Sequence, residues 1–304
     1  MSIVKLDDLL SINYQEKMKL AVVSAHDEEV LEAVVEAMRL GIVEPILIGD
    51  REKIQEILIE FKLNPDEFNI IHEKDLGKAA EIGVKLVSEN KADFLMKGLV
   101  DTGTLMKAVL NKEWGLRTDS LLSHVMVYEV GNYSKLIYLT DGGMNLYPNV
   151  EQKIKIIENA VQVVKTLGKD TVKVACLAAK EKEDPKMSAT VDAAALKKKF
   201  EEGGFSSGTI VEGPMALDLA ISKEAAQIKS FKSEVAGDAD ILLVPNIEMG
   251  NGIGKSITYF AGGKSAGIIM GAKVPIVLTS RADSHESKLY SIALGSVIAG
   301  KTFK

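Results

Sequence analysis

The chain has 304 residues, 46% of them hydrophobic, and a formal net charge of −6. This length is enough for a large core and two domains, and the interspersed charges lack the basic face that a nucleic-acid partner requires. The apolar runs are shorter than a membrane span and residues 1–15 do not form a secretory signal, so we predict a cytoplasmic protein without a membrane partner.

The first hundred residues alternate between strand-like and helix-like segments. Residues 28–40 place apolar side chains at helical spacing against acidic ones, and short apolar runs lie on either side. This alternation predicts an α/β fold with mostly parallel strands. The predicted strands of this part are residues 20–24, 45–48, 69–72 and 92–96.

Polar residues follow the last of these strands. Lys97 comes directly after it, and Thr102 lies near the start of the next helix. Ligands of open parallel sheets bind at the carboxyl ends of the strands, so both residues are candidates for binding an anion. A single Lys-Gly pair is weak support for such a site.

The alternation breaks in the middle of the chain. Residues 121–129 and 134–140 are extended runs joined through Gly131 and Asn132, a connection too short for a crossover helix. We therefore predict that the two runs pair antiparallel. We also expect the chain to pass from one domain to another near this break.

A cluster of polar residues precedes and opens the first of these runs. It contains Arg117, Ser123 and His124, and a guanidinium group pairs well with phosphate. His124 is either a hydrogen-bonded structural residue, which is the commoner role, or a catalytic base. Asp141, after the second run, either closes a turn or lines a ligand cleft.

The second half returns to alternating strands and helices. Its single cysteine, Cys176, lies in an apolar segment, so we predict no internal disulfide and a buried structural thiol. The predicted strands are residues 173–177, 208–211, 241–244 and 274–278, and the predicted helices include residues 150–167, 187–202 and 285–299.

Residues 239–255 combine an apolar run, a proline and a glycine-rich segment that ends in lysine. We predict a strand buried on both faces, followed by a glycine-rich turn whose N–H groups suit a phosphate-bearing ligand. The segment is neither a Walker loop, because Met249 replaces a required glycine, nor G-x-G-x-x-G, because Lys255 fills the last position. The candidate anion-binding residues are Asn251, Gly252, Gly254 and Lys255.

Ser280 and Arg281 follow the last predicted strand and precede a helix. A hydroxyl and a guanidinium at this place suit an anionic substrate. In the alternative interpretation Ser280, Asp283 or Ser284 caps the helix and Arg281 is solvated. No His, Cys or carboxylate pair has metal-ligand spacing, so we predict no metal site.

The order and spacing of these motifs resemble the phosphate acetyl/butyryltransferase family, and within it the butyryl branch. Single pieces are unspecific, but together they extend over nearly the whole chain. The matching pieces include K-G-L-V-D-T at residues 97–102, R-T-D-S-L-L-S-H-V at 117–125, T-D-G-G-M-N-L-Y-P at 140–148, E-G-P-M-A-L-D at 212–218, P-N-I-E-M-G-N-G-I-G-K at 245–255 and T-S-R at 279–281.

The resemblance implies a fold similar to isocitrate and isopropylmalate dehydrogenases, with two α/β domains of mostly parallel sheets. Domain I would comprise residues 1–128 and 266–304 and domain II residues 129–265, with the active site in the cleft between them. The family also implies a homodimer or higher homo-oligomer. No permanently bound cofactor is expected, and coenzyme A (CoA) is a substrate.

The implied activity is reversible transfer of a short acyl group, butyryl or else a branched or acetyl group, between CoA and inorganic phosphate. In the family, the CoA thiolate attacks the acyl phosphate directly in a ternary complex, without an acyl-enzyme. Ser280 and Arg281 match the family's serine and arginine at the reacting groups, and Arg117 lies in the region of a phosphate-binding arginine. The acetyl enzymes of the family carry an aspartate, proposed as their base, where this chain has Ser287, so Glu286 or Asp283 would substitute.

Two other functions remain open. A decarboxylating NAD-dependent dehydrogenase of the same architecture would need several aspartates around a divalent cation, and the sequence does not supply an obvious set. A non-catalytic module that binds an anion or a nucleotide is the second alternative. Phosphate-dependent CoA release from butyryl-CoA or acetyl-CoA separates the three functions.

Overall fold

The structure is a computed structural model, and it describes residues 3–12, 14, 16–280 and 282–302. Strands and helices alternate along most of this length, which confirms the predicted α/β class. The chain folds into two compact units. Unit A comprises Leu6–Ser120 and Ala266–Lys304, and unit B comprises Met1–Lys5 and Leu121–Ser265. The bounds predicted for the two domains stay a prediction.

The strands are short and mostly parallel within each unit. They are β1 (Met18–Val23), β2 (Val43–Gly49), β3 (Asn69–His72), β4 (Phe94–Lys97), β5 (Ser123–Glu129), β6 (Ile137–Thr140), β7 (Val172–Leu177), β8 (Thr209–Met215), β9 (Ile241–Leu243), β10 (Lys264–Met270) and β11 (Ile276–Val277).

The helices mostly follow strands, as in β-α-β units. They are α1 (Asp7–Leu10), α2 (Glu28–Arg39), α3 (Arg51–Glu60), α4 (Leu76–Ser88), α5 (Thr102–Val109), α6 (Val150–Thr166), α7 (Ser188–Glu201), α8 (Leu217–Ile221), α9 (Lys223–Ile228), α10 (Ile247–Phe260) and α11 (His285–Thr302), with a short 3₁₀ helix at Pro65–Glu67. No helix in the described part of the chain combines the length and apolar character needed to cross a bilayer.

In unit A the strand order is β3-β2-β1-β4-β11-β10. All neighbours are parallel except β10, which runs antiparallel to β11. The residues of β1 are almost all buried because helices cover both faces of a parallel sheet. Helix α2 begins where the Asp27 carboxylate accepts a hydrogen bond from the Val30 N–H at 3.0 Å, and it buries its apolar side, as its spacing predicts.

In unit B the strand order is β5-β6-β9-β7-β8. Strands β6, β9, β7 and β8 are parallel, whereas β5 runs antiparallel to β6, which confirms the predicted central pair. Tyr128, Leu139, Leu242 and Met215 belong to one core cluster of this unit. Because β5 and β6 are antiparallel, the carboxyl end of β6 lies beside the start of β5.

The conformation predicted for the glycine-rich segment was wrong. Helix α10 begins at Ile247, where the Asn246 side chain accepts from the Met249 N–H at 3.0 Å, and the glycines lie inside the helix. A Cβ on Gly250 would stand 2.6 Å from the Cα of Gly142. Gly250 thus allows close helix packing, which outweighs the roughly 1 kcal/mol that a glycine costs a helix.

Candidate active site

Polar residues lie at or shortly after the carboxyl ends of three neighbouring parallel strands of unit A, at one edge of the sheet. Val23 of β1 pairs with Lys97 of β4, and Val277 of β11 pairs with the residue before Lys97. Lys97 and Ser280, both predicted from the sequence, therefore belong to the same carboxyl edge. This is the edge at which open parallel sheets bind ligands.

Ser280 lies in a tight turn between β11 and α11. The Ser280 N–H donates to Asp283 Oδ2 at 2.7 Å and the Asp283 N–H donates to the Ser280 carbonyl at 3.1 Å. The N–H of Ala282 donates to Ser280 Oγ at 3.3 Å. We call Ser280, Ala282, Asp283 and Ser284 the Ser280 turn. Arg281 lies outside the described residues, so its predicted role stays a prediction.

The capping alternative is correct for Ser284. Its Oγ accepts from the N–H of Ser287, three residues later, at 3.2 Å, which is the hydrogen bond of a helix N-cap. Asp283 closes the turn, while Ser280 is exposed at the strand end. Ser280 therefore keeps a hydroxyl group that a substrate can reach.

Two carboxylates near this turn are candidates for the base. One oxygen of Asp283 is committed to the Ser280 N–H. Glu286, in the first turn of α11, is exposed and accepts a hydrogen bond from the Tyr290 hydroxyl at 3.1 Å. Ser287 supplies no carboxylate, so Asp283 in the Ser280 turn and Glu286 in α11 remain the two alternatives for the base.

Lys97 and Thr102 follow β4. Lys97 is buried, and its ammonium donates to the carbonyls of Gly98 and Val100, at 3.1 Å each. Buried ammonium groups require such partners. Thr102 is the first residue of α5, whose cap is Asp101. The predicted anion-binding roles of Lys97 and Thr102 stay predictions.

Arg117 lies on an exposed loop of unit A. The loop is fastened to the β10–β11 connection, because Thr118 Oγ1 donates to the Gly271 carbonyl at 2.6 Å and the Lys273 N–H donates to the Leu116 carbonyl at 2.9 Å. The backbone on both sides of Arg117 is thereby held in place, and Arg117 itself is exposed.

In unit B a buried carboxylate joins β5 to β6. Asp141 accepts from the N–H groups of His124, Gly143 and Met144 and from the side-chain amide of Asn145, at 2.6 to 3.1 Å. Of the two alternatives for Asp141, the structure favours the turn. A carboxylate with four donors anchors the loop.

His124 and Ser123 are both buried at the start of β5. The Asn159 amide donates to Ser123 Oγ at 2.8 Å, and the Gly143 backbone packs so closely on the His124 ring that a Cβ would stand 2.7 Å from Nδ1. These contacts pack His124 tightly at the start of β5, and its two alternatives, structural residue or catalytic base, stay predictions. A substrate-binding role for either residue stays a prediction.

The candidates on α10 divide by helix face. Gly254 is buried, and its Cβ position would lie 2.5 Å from the Tyr128 hydroxyl oxygen. Asn251, Gly252 and Lys255 are exposed, and Lys255 Nζ lies 5.7 Å from the Tyr259 ring centroid, a cation–π distance. Because these residues lie beyond the first turn of α10, their N–H groups bond to carbonyls of the helix itself. Anion binding by these residues stays a prediction.

Sequence reasoning missed three polar residues that follow β1 and β2. Ser24 has a positive φ of 57° and is fully buried, and its Oγ has no hydrogen-bond partner among the described residues. The Asp50 N–H lies 3.5 Å from His26 Nδ1. Burial, followed by the charge of Lys53, lowers the pKa of His26. These three residues follow apolar runs of the sequence, and that position could have indicated that they lie at the carboxyl ends of strands.

Cys176 is fully buried, as predicted. Burial raises the pKa of its thiol to about 12, so the thiolate that a nucleophile requires is absent near neutral pH. Among the residues that the structure describes, no group of three His, Cys, Asp or Glu side chains could hold a metal ion.

Comparison with known proteins assigns the family. The family described as phosphate acetyl/butaryl transferase matches residues 72–296. The phosphate butyryltransferase of Clostridium acetobutylicum is 47% identical over 96% of this chain and 97% of its own length. The chain belongs to the phosphate acetyl/butyryl transferase family, as its motifs predict, and it is an enzyme. A phosphate acetyltransferase of Thermotoga maritima is 43% identical over 97% of this chain and 99% of its own.

Solved structures agree with this assignment. A branched-chain phosphotransacylase from Enterococcus faecalis superposes with a TM-score of 0.82 at 35% identity, covering 93% of this chain and 99% of its own. A 4-hydroxythreonine-4-phosphate dehydrogenase from Klebsiella pneumoniae, at 13% identity, has a TM-score of 0.56 over 93% of this chain and 100% of its own. The second similarity concerns the fold alone. Similarity to isocitrate and isopropylmalate dehydrogenases in particular stays a prediction.

Proposed function

We propose that this enzyme transfers a short-chain acyl group, butyryl foremost, between CoA and inorganic phosphate. The observation that carries the proposal is the exposed Ser280 hydroxyl, held in a tight turn at the carboxyl end of β11 in a chain of this family. The high identity to a phosphate butyryltransferase supports butyryl as the acyl group. A homo-oligomer and a cytoplasmic location are further proposals.

The chemistry that we propose is one displacement. The CoA sulfur attacks the carbonyl carbon of the acyl phosphate, the oxyanion forms and collapses, and the bond to phosphate oxygen breaks with its electron pair leaving on phosphate. The thiol proton passes to a carboxylate of the Ser280 turn or of α11. Ser280 would donate its hydroxyl hydrogen to the developing oxyanion, and such a donor is worth several kcal/mol in a water-poor site.

Cations would neutralise the phosphate end. Arg281 is the first candidate, because a guanidinium pairs bidentately with phosphate oxygens, and Arg117 is the second. Holding CoA and acyl phosphate together supplies proximity, which makes a covalent acyl-enzyme unnecessary. The buried, protonated Cys176 is consistent with a route that needs no thiol nucleophile.

Acyl-CoA turnover tests the activity. We expect phosphate-dependent CoA release to be faster with butyryl-CoA than with isobutyryl-, propionyl- or acetyl-CoA. No release from any of these thioesters would contradict the proposal. Direct displacement predicts that labelled phosphate does not exchange into butyryl phosphate when CoA is absent, whereas an acyl-enzyme would permit that exchange.

A further inference from the structure

We propose that Lys288 on α11 is a positioning residue that holds the Ser280 turn in its reactive geometry. This inference depends on the proposed function, because it assigns Lys288 a role through Ser280. Lys288 itself is 2% exposed, so it acts from beneath the turn and touches no substrate. Its ammonium donates to one group on α2 and to one group on the turn.

The first partner is the carboxylate of Glu29. Lys288 Nζ lies 2.6 Å from Glu29 Oε2, and Glu29 belongs to the first turn of α2, a helix whose apolar side is buried in unit A. The second partner is the backbone carbonyl of Asp283. One ammonium thus connects the Ser280 turn to a helix that the core of unit A holds rigidly.

Asp283 transmits this constraint to Ser280. Its side chain accepts from the Ser280 N–H and its own N–H donates to the Ser280 carbonyl. Asp283 therefore fixes both the N–H and the carbonyl of Ser280, and Lys288 in turn donates to the carbonyl of Asp283. Moving that carbonyl would move the Ser280 hydroxyl with it.

The chemistry of a buried lysine supports a role beyond packing. Removing an ammonium from water is unfavourable even when it is paired, and an apolar side chain of similar volume fills such a site at least as well. Other side-chain contacts already join the two helices, because His285 Nε2 bonds Glu36 and His285 Nδ1 lies 3.5 Å from Glu32. Those contacts involve side chains alone, whereas Lys288 reaches the backbone of the turn.

Lys288→Met tests the inference, because methionine keeps much of the volume and removes the donors. A misplacement of about 1 Å at a reacting group costs about 100-fold in rate, so we expect kcat to fall about 10-fold to 100-fold. KM for butyryl-CoA and for phosphate should change less than about twofold. Lys288→Arg keeps a cationic donor and should recover most of the lost kcat.

Lys153→Met is the matched control. Lys153 is a comparably buried lysine, 3% exposed, whose ammonium lies 2.6 Å from Asp192 in unit B. Lys153→Met should leave kcat within about twofold, and urea unfolding of both variants shows whether either change alters stability. Unchanged kcat in Lys288→Met, or an equal kcat loss in both variants, would overturn the inference.

A double variant separates this inference from the proposed function. Ser280→Ala with Lys288→Met should be no slower than Ser280→Ala alone, because both changes remove the same contribution; multiplied losses would overturn the role through Ser280. A wild-type enzyme without CoA release, or a fully active Ser280→Ala, would instead refute the proposed function or the role of Ser280.

If Lys288→Met does not fold, Glu29→Ala tests the positioning role of Lys288 instead. Glu29 is 58% exposed, so its truncation leaves no cavity but frees the ammonium from α2. We expect kcat to fall several-fold, and the neighbouring Glu28→Ala controls for loss of a charge in the same helix turn. Identical kcat in Glu29→Ala and Glu28→Ala would overturn the inference.

Discussion

The identity of the base is a question about two side chains. Asp283 has one oxygen bound to a backbone N–H, so Asp283→Asn should loosen the turn as well as remove a charge. Glu286 is exposed, so Glu286→Gln should leave the fold unchanged. We expect Glu286→Gln to lower kcat about 100-fold, since general bases contribute roughly 10²-fold to 10⁴-fold.

The pH dependence of the rate distinguishes the two carboxylates. Loss of the base should abolish the acidic limb of the kcat profile, and a higher pH, which increases the thiolate fraction of CoA, should partly restore the rate. Asp283→Asn should instead slow the reaction at every pH and lower the urea midpoint. An intact acidic limb in Glu286→Gln would exclude Glu286 as the base.

The state of Cys176 gives a second prediction at this scale. Because its pKa is raised to about 12 by burial, the folded enzyme should not react with iodoacetamide at neutral pH, whereas the urea-unfolded chain should. Cys176→Ala should keep kcat within about twofold and lose about 1 kcal/mol of stability from the small cavity. Loss of activity in a folded variant would indicate a covalent route.

Single residues also show what a sequence can and cannot predict. The apolar neighbours of Cys176 predicted its burial correctly, because burial follows from local hydrophobicity. Ser24 escaped notice, because its positive φ and its burial depend on strands far away in sequence: the Leu99 N–H donates to the Ser24 carbonyl at 2.8 Å. Partners that tertiary structure supplies cannot be inferred from the residues on either side.

At the scale of elements, the contact between α10 and the β6 end predicts a large cost for one methyl group. Gly250→Ala would place Cβ 2.6 Å from the Gly142 Cα and 2.9 Å from Val244 Cγ2, so backbone must move. We expect a loss of about 1–3 kcal/mol from overpacking, although alanine favours a helix by roughly 1 kcal/mol.

Gly252→Ala is the control for this substitution. Gly252 lies on the same helix, and apart from its chain neighbours and the helix's own backbone no atom of the described residues stands within 4 Å of its Cβ position. Only helix propensity therefore acts, and we expect a gain of roughly 0.5–1 kcal/mol. Urea unfolding of both variants measures the difference. Equal stabilities would show that the packing of α10 on Gly142 is not tight.

The same helix shows why one element was predicted wrongly. Glycines at three of five positions indicate a turn by local propensity, yet the Asn246 cap and the packing of Gly250 and Gly254 hold a helix there. By contrast, residues 28–40 combine propensity, periodicity and a capping aspartate, and they form α2 almost as predicted. Prediction succeeds where local and tertiary preferences agree.

At the scale of the whole molecule, the order of motifs proved more informative than any one motif. Periodicity predicted alternating strands and helices, and the Gly131-Asn132 connection predicted the antiparallel pair. Strand β10 was not predicted, although six of its seven residues are buried. The residues that form a compact unit are decided by pairings between strands. Strand β5 pairs with β6, and all of β5 belongs to unit B.

The stability of the molecule in acid should depend on an ionic network in unit B. Asp238 lies 2.8 Å from Lys135 and 2.7 Å from Lys173, and Asp240 lies 2.7 Å from Lys135. Burial by itself raises the pKa of Asp238, but hydrogen bonds from Lys135 and Lys173 outweigh burial and lower this pKa to about 2. A carboxylate whose pKa is depressed on folding stabilises the folded state only while it is ionised.

Asp238→Asn should therefore be less stable than the wild type at neutral pH by about 1 kcal/mol, a figure reduced for solvent screening of a partly exposed pair. The difference should be constant above about pH 4, the ordinary range of an aspartate, and vanish as the pH falls through about 2. Urea unfolding at a series of pH values measures it. Asp170→Asn, an exposed aspartate ahead of β7, should show no such dependence. A destabilisation of Asp238→Asn that persists below pH 2 would show that the amide disturbs packing, because by then the wild-type carboxylate has also lost its charge.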